Sequence, residues 1–118
     1  MSAVRLSLLV LRVPDIERAA EFYTALGLEF TKHSHGNGPE HYAAEMGGMV
    51  FELYPLAAED ASTQHTRIGF SLAAPASVIA ALEAKGAKVV SPLKDSPWGI
   101  RAVIDDPFGH RVEITECR

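Results

Sequence analysis

The feature that most constrains this chain is an internal repeat, because a shift of 59 residues lays one half of the sequence over the other. Gly27 then falls on Gly86, and Leu9, Leu11 and Val13 of LLVLRV fall on Ile68, Phe70 and Leu72 of RIGFSL. Both segments alternate in the manner of strands. Each is followed by a helical pattern. Asp15 is a good N-cap, Ile16, Ala19, Tyr23 and Leu26 make an apolar stripe, and Gly27 is a natural stop. In the second half Pro75 opens a helix with Val78, Ile79 and Leu82 inward, ending at Gly86. Three further strands follow each glycine, LEFTKH, EHYAAEM and MVFELYP, then AKVVSP, GIRAVID and HRVEITE. Gly47-Gly48 and Asp106-Pro107-Phe108-Gly109 supply turns between strands.

Each half therefore reads β-α-β-β-β, and the expected fold class is α+β, two βαβββ modules forming a curved, partly open mixed sheet with a central cleft. With 118 residues one domain is the natural count, spanning 1–118 as module 1 (1–55), a linker (56–64) rich in Ala, Asp, Glu, Ser and Thr, and module 2 (65–118).

Alternation also assigns faces. Phe51 and Leu53 belong on the helix side of their strand, which leaves Val50, Glu52 and Tyr54 opposite. By the same rule Val112 and Ile114 leave Glu113 and Thr115 opposite, Ile68, Phe70 and Leu72 leave Arg67, Gly69 and Ser71, and Leu8, Val10 and Arg12 take that face of the first strand. A two-residue turn at Gly47-Gly48 pairs His41 with Tyr54 and Ala43 with Glu52. Glutamates in mid-strand can lie on a solvated sheet face. Their matching places in the repeat favour a polar-lined cavity for a small molecule.

A net charge of −4 with eleven scattered Lys and Arg excludes a phosphate-binding stripe, so nucleic acid is not an expected partner. The apolar run Leu6 to Leu11 is broken by Ser7 and followed by Arg12 and Pro14, too short for a signal peptide or a membrane span. A lone Cys117 suits a reducing, cytoplasmic setting.

The segments LRVPDIERAAEFYTALGLEF, VFELYP and PWGIRAVIDDPFGHRVEITE, in that order and over essentially the whole chain, resemble the vicinal oxygen chelate superfamily, which includes glyoxalase I, bleomycin-resistance proteins and extradiol dioxygenases. The resemblance implies a divalent metal held by the first and last strands of each module, at Leu8, Glu52, Arg67 and Glu113. Leu8 has no lone pair and Arg67 only donates, so neither can ligate. The extradiol pattern of two histidines and a carboxylate is absent from these places. Arg67 reads instead as a built-in cation that keeps partly buried carboxylates ionised and can bind one bidentately.

Glu52, Glu113 and Arg67 are accordingly the candidate catalytic residues, and His41, Tyr54, Trp98, Arg12 and Arg101 the candidate ligand contacts. No cofactor is expected; the alternative is one divalent ion on His41, Glu52 and Glu113. His65 shares the strand face of Arg67 but lies a two-residue step of about 6.6 Å away. His33 and His35 read as a solvated loop pair and His110 as surface. The loop HGNGPEHYAAE can cap a pocket and bring His41 to a ligand or merely connect strands, Trp98 either closes over a ligand or plugs the core, and Phe22 and Tyr23 read as core.

Two functions follow from the resemblance. One is metal-independent binding of a small organic molecule in a homodimer, as in the bleomycin-resistance branch. The other is an isomerase or lyase of the glyoxalase type, metal-dependent or arginine-assisted, with Glu52 or Glu113 as base.

Overall fold

A computed structural model describes residues 3–117. Met1, Ser2 and Arg118, within the expected 1–118 span, lie outside the described residues. The chain runs β1 (Leu8–Val13), α1 (Ile16–Leu26), β2 (Thr31–His33), β3 (His41–Met46), β4 (Met49–Pro55), β5 (Arg67–Leu72), α2 (Pro75–Ala84), β6 (Lys88–Lys94), β7 (Arg101–Asp105) and β8 (Arg111–Glu116). It divides into two compact units, Met1–Ser62 and Thr63–Arg118, and each has the order β-α-β-β-β. Among the described residues no helix is long and apolar enough to cross a membrane.

Each unit has its own open four-stranded mixed sheet, in the order β1-β4-β3-β2 in the first and β5-β8-β7-β6 in the second. The strand before each helix pairs in parallel with the last strand of its unit, and the remaining pairs are antiparallel. That pattern follows from the lengths of the connections. Gly47 and Gly48 take φ of 56° and 80°, the positive values a two-residue hairpin needs, and so align Met46 with Met49 and Ala43 with Glu52. A helix, by contrast, carries the chain from β1 across to a parallel neighbour.

The helix ends obey local chemistry. Asp15 accepts a hydrogen bond from the Arg18 amide at 3.1 Å, and Gly27 closes α1 at φ 128° with its own amide donating to Thr24 O. In α2 Pro75 sits in the first turn, with no side-chain cap before it. The α1 stripe buries Ala19, Phe22, Tyr23 and Leu26 against Leu11, Val13, Phe51 and Leu53. Tyr23 meets Phe22 edge-on at 4.9 Å and Phe51 at 5.1 Å. In the second unit Ile79 and Leu82 belong to a core with Ala102, Ile104, Val112 and Ile114. Each buried Val, Leu, Ile or Phe among these contributes about 1.5–3 kcal/mol of burial free energy.

The turn before β8 corrects the expectation that His110 lies at the surface. Its ring is 1% exposed. Nδ1 lies 2.7 Å from Asp106 Oδ2 and Nε2 lies 2.7 Å from Thr63 Oγ1. The other carboxylate oxygen of Asp106 accepts from the amides of Phe108 and His110 at 2.8 and 3.0 Å. A polar side chain goes inside here because the turn presents backbone donors that need a buried acceptor, and the imidazole satisfies the remaining oxygen.

Candidate functional site

The face of each sheet turned away from its helix carries the candidate site side chains, and each unit builds its own cluster. In the first unit β1 and β4 place Val10 beside Glu52 and Arg12 beside Tyr54. The hairpin brings His41 over from β3, where its ring stacks on Tyr54 with centroids 4.2 Å apart and planes 9° apart. His41 is 2% exposed. Its Nδ1 lies 3.3 Å from Pro39 O, and its Nε2 lies 3.6 Å from Glu52 Oε2, an ion pair when the imidazole is charged. On the other side of Tyr54 the Arg12 guanidinium stands 5.4 Å from the ring centroid and pairs with Asp60 at 3.3 Å. Asp60 also accepts from the Ala57 amide, so the linker holds the arginine in place.

His33, half-buried, and His35, exposed as expected of a solvated pair, stack on one another and also reach His41. Strand β2 pairs His33 with His41 in register, and the three imidazole centroids lie 5.3 to 5.8 Å apart. Period two continued from β2 into the following residues was the available signal, since it puts 33 and 35 on one face. Leu8, at the other end of β1, is half-exposed.

In the second unit Glu113 takes the centre of the face, opposite Gly69 on β5 and Val103 on β7. One carboxylate oxygen accepts from Arg67 Nε at 3.1 Å and the other from a terminal nitrogen of Arg101. Alternation puts Arg67 and Arg101 on this face, and their length lets both reach one carboxylate from strands on either side of β8. Arg111, in register with Arg67, is occupied by Asp105 through two hydrogen bonds of 3.0 and 3.3 Å. A cavity of about 490 Å³ opens beside Glu113, lined by Gly69, Ser71, Trp98, Arg101 and Thr115 together with Phe70. Trp98 is 76% exposed, so it is a rim residue and not a core plug. His65 lies outside β5 at φ 75°, which removes it from the strand face it was expected to share with Arg67.

The chemistry of these side chains does not fit the metal that the resemblance implies. Of its four positions, Leu8 has no donor atom and Arg67 offers only N–H groups, which cannot ligate, with its Nε donating to Glu113. Among the described residues no group of three His, Cys, Asp or Glu side chains is arranged to hold a metal ion.

The family model for the Glyoxalase/Bleomycin resistance protein/Dioxygenase superfamily matches residues 5–114. The chain belongs to that superfamily. Its fold is similar to that of a glyoxalase-related enzyme from Fulvimarina pelagi, with a TM-score of 0.75 at 20% identity over 96% of this chain and 88% of the other. It is also similar to TnmS3, an antibiotic binding protein from Streptomyces sp. CB03234, with a TM-score of 0.73 at 21% identity over 100% and 99% of the two chains. A hypothetical protein, SA1046 from S. aureus, gives 0.74 at 19% identity over 98% of both. No curated protein matches the sequence.

Proposed function

We propose that this chain binds a small organic molecule on the polar face of its sheets and does so without the divalent ion of the superfamily's metal-dependent members. One observation carries the reading: Arg67 and Arg101 both donate to Glu113, so guanidinium groups supply the positive charge that a metal would bring to that carboxylate. The open cavity beside Glu113 and the similar fold of an antibiotic binding protein support it. Metal analysis of the protein as isolated tests the reading, together with melting in the presence of added Zn²⁺, Ni²⁺, Mn²⁺ and Fe²⁺. Trace metal and unchanged melting are expected. One equivalent of metal that is lost in Glu52→Gln overturns the reading.

The protein works, in this reading, as a cytoplasmic homodimer. Strands β1 and β5 each end their sheet, and an unpaired edge is a ready site for a second copy. Light scattering after gel filtration decides this, with twice the 12.7 kDa chain mass expected.

A second reading is favoured by Glu52. Its carboxylate faces His41 and, among the described residues, is paired with no arginine, which leaves it available as a general base for an isomerase or lyase, whereas Glu113 is tied to two guanidiniums. Deuterium incorporation from solvent at the carbon beside a carbonyl, abolished by Glu52→Gln, would establish it. No incorporation over a panel of α-hydroxy and α-keto compounds removes it.

A further inference from the structure

We infer that the cavity beside Glu113 in the second unit selects a flat organic anion, an aryl carboxylate in chemical class, with the acid group on Arg101 and the ring against Trp98. The inference rests on the small-molecule reading above and names the charge and shape of what is bound.

Charge balance is the first support. Two guanidiniums share the single carboxylate of Glu113, while the neighbouring Arg111 is neutralised separately by Asp105. The cluster on Glu113 therefore carries one excess positive charge. Arg67 supplies charge to that carboxylate through Nε at 3.1 Å from outside the cavity lining, and Arg101, on the lining, gives it only one terminal nitrogen, so the Arg101 fork keeps donors for a second acceptor. A carboxylate ligand would complete the neutrality and use those donors; an ammonium ligand would meet two arginines and gain only a glutamate already bound.

Shape is the second support. Gly69 lies in register with Glu113 on the cavity wall, and a Cβ built there meets nothing within 4 Å. The missing side chain is the space itself. Since φ at Gly69 is not positive, the backbone would accept a larger residue without strain, which separates the role of the space from any demand of the fold. Trp98 stands 76% exposed on the rim, its amide fixed by Ser96 Oγ at 3.2 Å. An indole carried on that anchored backbone at the cavity rim offers an apolar plane to an aromatic ring, and Ser71 and Thr115 line the same cavity.

The test uses three probes of one ring and different charge, 2-naphthoate, 2-naphthalenemethanol and 2-naphthylmethylamine, titrated by calorimetry into the full chain. Trp98 is the sole tryptophan, so quenching of its fluorescence reports contact at the rim directly. Naphthoate is expected to bind at least ten-fold tighter than the alcohol or the amine and to quench Trp98. Arg101→Gln should weaken naphthoate at least ten-fold and leave the alcohol unchanged. Gly69→Val should abolish binding of every probe while circular dichroism and melting stay as in the unsubstituted protein.

If the amine or the alcohol binds as tightly as the acid, and Gly69→Val abolishes it, the anion selectivity is overturned and the small-molecule reading survives. If naphthoate binding persists in Gly69→Val, the placement in this cavity is overturned. If no probe binds at millimolar concentration, the aryl-acid inference fails. The broader reading then rests on the metal analysis alone.

Discussion

Replacing Asp106 by alanine should be among the more damaging single changes in the second unit, although the residue does not line the cavity beside Glu113. Its carboxylate accepts from the amides of Phe108 and His110 through one oxygen and faces His110 Nδ1 through the other. Alanine leaves the buried His110 amide without a partner, at about 1–3 kcal/mol, and leaves one side of a 1% exposed imidazole unpaired at about the same cost. The Phe108 amide is only part-buried and rehydrates, so the total is about 2–6 kcal/mol. Asparagine separates this account from a simple loss of charge. Its amide oxygen still accepts from both backbone donors, and its NH₂ can donate to Nδ1 if the ring takes the tautomer with the proton on Nε2, which then donates to Thr63 Oγ1. Asp106→Asn should thus cost about 1–2 kcal/mol. Urea unfolding followed by circular dichroism gives both values from midpoint and slope. The reasoning fails if Asp106→Ala stays within about 1 kcal/mol of the unsubstituted protein, or if asparagine is as costly as alanine.

Phe51 is fully buried and touches Tyr23 and Phe30, so Phe51→Ala should lose about 3–5 kcal/mol in the same assay, and a loss below about 1 kcal/mol would mean that this core is not packed as described. Gly48→Ala, at φ 80° in the hairpin that aligns Ala43 with Glu52, should cost about 1–2 kcal/mol, with a neutral effect counting against the two-residue turn. On the helix side of the first sheet, hydrogen bonds from Lys32 and then Tyr42 hold the Glu17 carboxyl below its ordinary range, while the Glu17 carboxylate holds Lys32 and Tyr42 above theirs. The lowered carboxyl lends stability above its ordinary value that is lost as pH falls through the folded one; the raised ammonium and phenol lend stability below their ordinary values that is lost as pH rises through the folded ones. Melting temperature should therefore fall gently at both ends of a pH 3–11 series, and Glu17→Gln should flatten both slopes; unchanged slopes would dismiss the cluster.

The elements, their order and the faces they bury were legible in the amino-acid sequence. Repeat, period and turn residues are local properties, and the strands LLVLRV, MVFELYP and RIGFSL span 8–13, 49–55 and 67–72 as alternation requires. Strand ends next to loops shifted: LEFTKH shrinks to Thr31–His33, and the strand read as AKVVSP runs on to Lys94 past Pro92. Such ends depend on whether a neighbour continues the ladder, and the β6–β7 register slips between Val89, Ser91 and Lys94. The outward direction of Glu52 and Glu113 was legible for the same reason as the core.

Where long or hinged side chains end depended on how the strands assemble. Period two assigns a face, but a guanidinium tip reaches across a neighbouring strand, so the convergence of Arg67 and Arg101 on Glu113 needed the strand order β5-β8-β7. His33 and His35 joined His41 through the register of β2 on β3, and His110 went inside because the turn before it offered donors that needed Asp106. Sequence patterns record whether a residue can face inward. Which partner it meets there depends on pairings between segments far apart in the chain, and those are made only when the sheet is built.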